Sequence, residues 1–490
     1  MTILPLHPAQ NASPEALGAF LMQCRDLAVR DGRPKLVSIS LAVDALDPLA
    51  VLESIFEPTA PHFYAERPSI ETAVAGAEVA VAFHGGGPGR FADAQRWIDE
   101  TLAHTIAVGD VGAPFGGPHF FAGFTFCDEV EEGEPFAAAS LFVPRWQVAR
   151  AGSTTTAVAN LLVGPNADLE ALSERVWRAH GKFRRFNYAP TQNGGAIPPR
   201  CDDQTDRPQL AASSGAPGPR FTANEVGEYR AAVTQALGRI ASGEFKKIVL
   251  ARAQDVRAEL PLHPLEMLNG LRERFPDCYS FSFSQGRGPS FIGASPERLV
   301  RVSKRILETE ALAGSTRRGS TASEDAALAD ALLRSEKDGR EQQQVLDDIV
   351  ARLTPLGLEP EFSDRPNVRR LANVQHLHTP LRATLPDGIR LLDVLAALHP
   401  TPAVGGSPRT AAVNRIRELE RFPRGLYAGA LGWINARGGG EFFAGIRSAL
   451  VQGSHARVYA GAGIVAGSTA EKEFAETELK FKAMRDALLG

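Results

Sequence analysis

The chain has 490 residues, 44% of them hydrophobic and 22% charged, with a formal net charge of −4. That is the composition of a globular protein with a large core, and its charge offers no broad attraction to nucleic acid or to an anionic membrane surface. No stretch offers the about 18 uninterrupted apolar residues that a membrane-spanning helix needs, and Cys24, Cys127, Cys201 and Cys278 form neither a CxxC pair nor a disulfide framework, as expected in a reducing cytoplasm.

From the N-terminus, Met1 to Pro8 has no basic region followed by an apolar run and does not read as a signal peptide. Strand patterns are predicted at Phe120–Phe126 and Ala139–Pro144. Residues 189–220 are dense in Pro, Gly, Ser and Asp and read as a long exposed loop or linker, which separates an N-terminal part (1–220) from a C-terminal region (221–490). Thr222-Ala-Asn-Glu225 then has the form of a capping box, followed by Val226, Tyr229, Val233, Leu237 and Ile240 at helical spacing.

A strand is predicted next, Phe245 to Arg252, in which a period of two places Lys247 on one face with Phe245, Val249 and Ala251. An ammonium on an apolar face is costly unless paired, and desolvation of such a group can lower its pKa by about 3 to 5 units. Lys247 is therefore a candidate base; the alternative is a lysine that snorkels from a partly wet strand. Tyr279, Phe281 and Phe283 alternate with serines, and Ser290 to Val302 is the predicted hairpin partner.

Residues 323–353 read as one long helix, in which Glu341, Val345 and Ile349 fall on a single stripe. A carboxylate there calls for a nearby cation, in a structural salt bridge or a functional site. His376 and His378 share a strand face, but with no third His or Cys nearby, hydrogen-bonded structural histidines fit better than a metal pair. In Glu441–Val451, read as one strand, Arg447 lines up with Phe443, Gly445, Ala449 and Val451; its fork suits a substrate carboxylate or an internal acid. The glycines of Tyr459–Gly467 let backbone amides approach an anion, while Gly461, Gly463 and Gly467 miss the dinucleotide spacing by one. On the last helix Glu473, Glu476, Lys480 and Met484 share a face, as a magnesium-attracting pair of carboxylates or as a solvated surface. There is no nucleophile elbow and no phosphate-binding loop. Paired strands between helices favour an α+β fold.

Taken in order, Lys247-Ile-Val-Leu-Ala-Arg252, Ser295-Pro-Glu-Arg-Leu299, Glu310-Ala-Leu-Ala-Gly-Ser315, Ser335-Glu-Lys-Asp338 with Glu341, and Gln375-His-Leu-His-Thr-Pro380 lead into His399-Pro-Thr-Pro-Ala-Val-Gly-Gly406. Gly445-Ile-Arg-Ser-Ala449, Ala460-Gly-Ala-Gly-Ile-Val465 and Glu473 with Glu476 and Lys480 complete the series. The set resembles the chorismate-utilising enzymes through most of residues 222–490, and only loosely before. The likeness is nearest to isochorismate synthases. Lys247 stands where water-using members carry a general base, Ala313 where aminodeoxychorismate synthases place a covalent lysine, and Ala403 where salicylate and anthranilate synthases tend to carry threonine.

The resemblance implies a single large α+β unit of the anthranilate synthase component I type, with orthogonally packed antiparallel sheets flanked by helices, so that 189–220 is a surface excursion. It implies conversion of chorismate to isochorismate, with Lys247 as base, Glu297 as acid, and Mg2+ on Glu341 and Glu476, with Glu473 through water. Arg447, Lys480 and the amides around Gly461 and Gly463 would hold carboxylates; Gly314, Ser315, His376, Ala403 and Tyr427 would line the pocket. No glutaminase, nucleic-acid or membrane partner is expected, and the product would feed menaquinone or siderophore synthesis. Rival readings are a salicylate synthase, which also eliminates pyruvate, and a noncatalytic chorismate binder. Gly339 and Gln342 depart from the family's commoner Arg and His beside the metal-type glutamate.

Overall fold

In the computed structural model, which describes residues 1–4, 14–55, 59–184, 221–371 and 374–489, the described residues form two large sheets and eleven α-helices. The predicted linker, 189–220, and Cys201 within it lie outside the described residues. One sheet has fourteen strands and the other ten. Pairing is antiparallel except at one edge of the larger sheet, where Thr105–Gly109 runs parallel to both Thr2–Ile3 and Lys35–Val43. This is the expected two-sheet α+β unit. The N-terminal part belongs to both sheets: Pro61–Arg67 pairs with Tyr279–Gln285 in the larger, and His119–Phe124 pairs with Ala430–Asn435 in the smaller. No described helix is long and apolar enough to cross a membrane.

The core between the sheets is aromatic. Phe63 of the larger sheet stacks on Phe121 of the smaller, and Tyr279 stacks on Phe443, with ring centroids 4.5 and 4.7 Å apart. The Tyr279–Phe283 alternation supplies one side of this layer; its serines are buried too, and Ser282 hydrogen-bonds His62 at 2.7 Å.

Four predicted elements differ from the fold. Phe221–Val226 is a strand along Ala253–Ala258, and the helix begins only at Tyr229; Glu225 is spent on Arg252 and Gln254 instead of closing a capping box. The long helix breaks at Ser335 into Ala322–Arg334 and Glu336–Leu353, because extended backbone there lets the Ser335 hydroxyl accept from the Asp338 N–H as an N-cap. The run Ser290–Val302 is two strands in different sheets, ending at Ser295 in the larger and restarting at Arg298 in the smaller. Likewise Glu441–Val451 leaves the smaller sheet at Ala444 and joins the larger at Ser448, with Arg447 between them at φ 51°. The two crossings lie side by side: Ala444 N–H donates to the Glu297 carbonyl, and Ala294 N–H to the Arg447 carbonyl, each at 3.0 Å.

Candidate active site

The strand Lys247–Ala258 starts at a lysine 6% exposed, paired in register with Val465 on one side and Ser407 on the other. Its ammonium donates to Glu341 Oε1 at 2.7 Å, so the cation that Glu341 called for is Lys247 itself. Gly463 makes the room: a Cβ there would sit 3.0 Å from Lys247 Cε. Gly461, two residues back, likewise leaves space for the Tyr427 hydroxyl, which would lie 2.6 Å from a Cβ.

Glu297 lies on the first crossing and lines a small cavity with Thr401 and Ala403. Burial pushes its carboxyl up to about 7, and the charge of Glu310 adds to this; a hydrogen bond from Thr401 Oγ1 at 3.3 Å and the field of Lys247 oppose it. A carboxyl that titrates near 7 can hold a proton, and give it up, close to neutral pH.

Arg447 lies on the second crossing, not on the continuous strand face expected of it. Burial lowers its pKa, with Cys278, Tyr427 and Glu476 in electrostatic reach. Lys480, on the helix Ala470–Leu489, donates to the Gly461 carbonyl and to Glu476 Oε1, both at 2.7 Å. Burial and then Arg447 lower its pKa, against the pull of Glu476. Tyr427 stacks on Tyr459 with centroids 5.0 Å apart, and burial raises its hydroxyl. His376 hydrogen-bonds Ser315 Oγ at 2.7 Å, next to the bulge at Gly314; burial, Arg447 and Lys480 push it down to about 3, so the imidazole is neutral. The residues predicted to hold carboxylates thus share one electrostatic neighbourhood.

His378, on the same strand face, turns to Glu310 at 2.9 Å, so the two histidines serve separate partners. Gln342 is buried and donates to the Ala311 carbonyl and Thr379, each at 3.0 Å; it braces its helix against the sheet. Gly339 leaves open space beside the helix.

For a hard divalent cation, the donors present are carboxylate oxygens on two helices, Glu341 on one and Glu473 and Glu476 on the other. Among the described residues no three acidic, histidine or cysteine side chains stand as a ready-made cluster; Glu341 and Glu476 are each held by a lysine. Burial and then the charge of Glu476 push the Glu473 carboxyl up, while the Ser468 hydrogen bond, Lys337 and Lys480 pull it down. Carboxylate oxygens are the donors a hard cation takes, but Lys247 and Lys480 occupy Glu341 and Glu476 here, so a cation would have to displace them.

Thr401, Glu310 and Arg369 were not picked out from the sequence as site residues. Glu310 stood inside a quoted motif, but its partners come from other strands, and only the antiparallel register of Arg298–Ser303 with Ile306–Arg317 brings it back to the crossing.

Comparison with known proteins follows the same lines. A family model described as chorismate binding enzyme matches residues 19–489. The chain is 37% identical over 463 residues, 93% of its length and 90% of the relative's, to the salicylate biosynthesis isochorismate synthase of Pseudomonas aeruginosa. It is 30% identical over 464 residues, 93% of its length and 94% of the relative's, to the isochorismate synthase MenF of Bacillus subtilis. Among solved structures, the menaquinone-specific isochorismate synthase MenF from Escherichia coli superposes with a TM-score of 0.74 at 26% identity, over 96% of this chain and 100% of that one.

Proposed function

The chain belongs to the chorismate-binding enzyme family, and from that premise we propose that it is an isochorismate synthase, converting chorismate to isochorismate. The observation that carries this reading is the Lys247–Glu297 pair: a buried lysine and a carboxyl raised to about 7, in each other's field. Water adds at C2 of the ring as the C4 hydroxyl leaves. Lys247, acting from its uncharged form, takes the proton of the attacking water, and Glu297, acting from its protonated form, gives one to the departing hydroxyl. Water consumed at C2 equals water released at C4, so the net reaction is an isomerisation. The Lys247–Glu341 contact must part for the lysine to act.

Arg447 and Lys480 supply the cations that the two substrate carboxylates require, and the neutral His376 supplies a polar wall without added charge. Magnesium held by Glu341 and Glu476, with Glu473 through water, would neutralise charge at the ring carboxylate.

With magnesium and chorismate, the protein is expected to form isochorismate, and EDTA to stop it. Lys247→Ala should lower kcat by about 10²- to 10⁴-fold while thermal unfolding shows the fold intact; turnover close to wild type would sink the base assignment. Replacing Glu341 and Glu476 together by Ala should abolish magnesium binding in calorimetry. Release of pyruvate from chorismate would select a salicylate synthase instead. The higher identity to a relative named for salicylate biosynthesis favours that route for the released isochorismate over menaquinone.

A further inference from the structure

We propose that Glu310 is the positioning residue of the acid: it ties down the backbone at the Glu297–Arg298 step and keeps a charged carboxylate beside the Glu297 side chain. The inference rests on reading Glu297 as the acid. The geometry is specific. Glu310 lies on the strand Ile306–Arg317 with its side chain 4% exposed. Its Oε1 accepts from the backbone N–H of Arg298 at 3.3 Å and from Arg369 Nη1 at 2.8 Å. Its Oε2 accepts from His378 Nε2 at 2.9 Å and lies 3.8 Å from Arg298 Nη2. One carboxylate therefore fixes the residue that follows Glu297 at the point where the chain passes from one sheet to the other, and where the ladder with Gly440–Ala444 slips register.

The second half is electrostatic. Burial alone would raise the Glu310 carboxyl, but the His378 hydrogen bond, Arg369 and Arg298 outweigh it and hold it at about 2, so the group stays ionised at neutral pH. The groups that face Glu297 come from four elements: Lys247 from its strand, the Thr401 hydroxyl from the loop after Leu391–Leu398, Tyr427 from the turn before Ala430–Asn435, and Glu310. Tyr427 is neutral, and Lys247 and Thr401 favour the ionised form; Glu310 is the one charge among them that disfavours it. A buried carboxylate held between two arginines and a histidine is costly to keep for packing alone. Beside an acid that must carry a proton near neutral pH, it has a task.

The test is infrared titration of the substrate-free protein, following the carbonyl band of the protonated Glu297 carboxyl, which is assigned by its loss in Glu297→Gln. The wild-type midpoint is expected at about 7. Glu310→Gln keeps the shape and the acceptor for Arg298 N–H but removes the charge, so its midpoint should fall by about 1 pH unit or more. Arg369→Gln strips a cation from Glu310, leaves its charge less compensated, and should move the midpoint upward. The alkaline limb of kcat/KM for chorismate should follow in the same sense. Shifts of opposite sign are not what loosened packing produces. A midpoint that stays put in both variants overturns the proposal, as does reduced turnover with an unmoved midpoint; if Glu310→Gln does not fold, Arg369→Gln decides alone. A band that moves as expected in a protein inert toward chorismate supports the hold of Glu310 on Glu297 and rejects the isochorismate synthase reading.

Discussion

Glu297 keeps its proton against the interest of the fold. Its carboxyl titrates at about 7 in the folded chain, above the ordinary carboxylate range, so below that range both states are protonated and nothing is lost. As pH rises through the ordinary range toward 7, the unfolded chain sheds a proton the folded one retains, and stability falls, by an amount of order 1 to 3 kcal/mol. Glu297→Gln should therefore be more stable than wild type in urea denaturation at about pH 8 and no more stable at about pH 4, while its turnover collapses. If Glu297 gives the proton as proposed, kcat/KM in the wild type should decline as pH rises through about 7, where its carboxyl ionises. A variant no more stable at the higher pH would mean that the carboxyl does not bear this strain.

At the scale of elements, the strand that carries Lys247 has a gap in its ladder. Ser407 and Gly406 pair with its first two residues and Val226 to Phe221 with its last six; Val249 and Ala251 lie between. A buried ion pair fills the gap: Arg424 Nη2 donates to the Val249 carbonyl at 2.7 Å and Glu420 Oε1 accepts from Ala251 N–H at 2.6 Å, with the two side chains 2% and 0% exposed. Glu420→Ala leaves a buried guanidinium and a backbone N–H unpaired and should cost about 3 to 5 kcal/mol, read as a lower urea midpoint. The reverse pattern, a loss under 1 kcal/mol, would show the gap to be filled by water. Much of this architecture was legible: the runs Phe120–Phe126 and Ala139–Pro144 and the Tyr279–Phe283 alternation fall on the strands His119–Phe124, Ala139–Val143 and Tyr279–Gln285, and Glu341 does meet a cation on its apolar stripe. The breaks at Pro296–Glu297 and Gly445–Arg447 were not, because strand-forming residues flank each break closely and the change of sheet depends on pairing with distant strands. Glu225 misled for a related reason: a capping box and an acid awaiting Arg252 are the same residue type at the same position. Glu310 was out of reach because its task depends on Arg369 and His378, about 60 residues away and on other strands.

At the scale of the molecule, the two halves of the sequence are not two bodies. Each sheet joins a block of N-terminal strands to a block of C-terminal strands at one hydrogen-bonded seam, and Phe63, stacked on Phe121 in the N-terminal half, packs against Phe283 and Trp433 of the C-terminal region. Residues 221–490 carry every predicted catalytic group, yet expressed alone they would expose the Tyr279–Gln285 and Ala430–Asn435 edges and half of the aromatic layer. That fragment is expected to lack a cooperative thermal transition and to aggregate; a soluble fragment that melts cooperatively would show that the N-terminal half is dispensable for folding. The paired crossings have one more effect. Glu297 and Arg447 sit on two backbone links cross-tied to each other, whereas Lys247 belongs to the larger sheet alone. The side chain of Lys247 reaches across to Glu341, on a helix packed against the smaller sheet, so all three groups depend on how the two sheets sit on each other. The spacing of Lys247 and Glu297 is thus set across the aromatic layer, and a change in the volume of Phe443 or Tyr279, stacked between the sheets, would retune it.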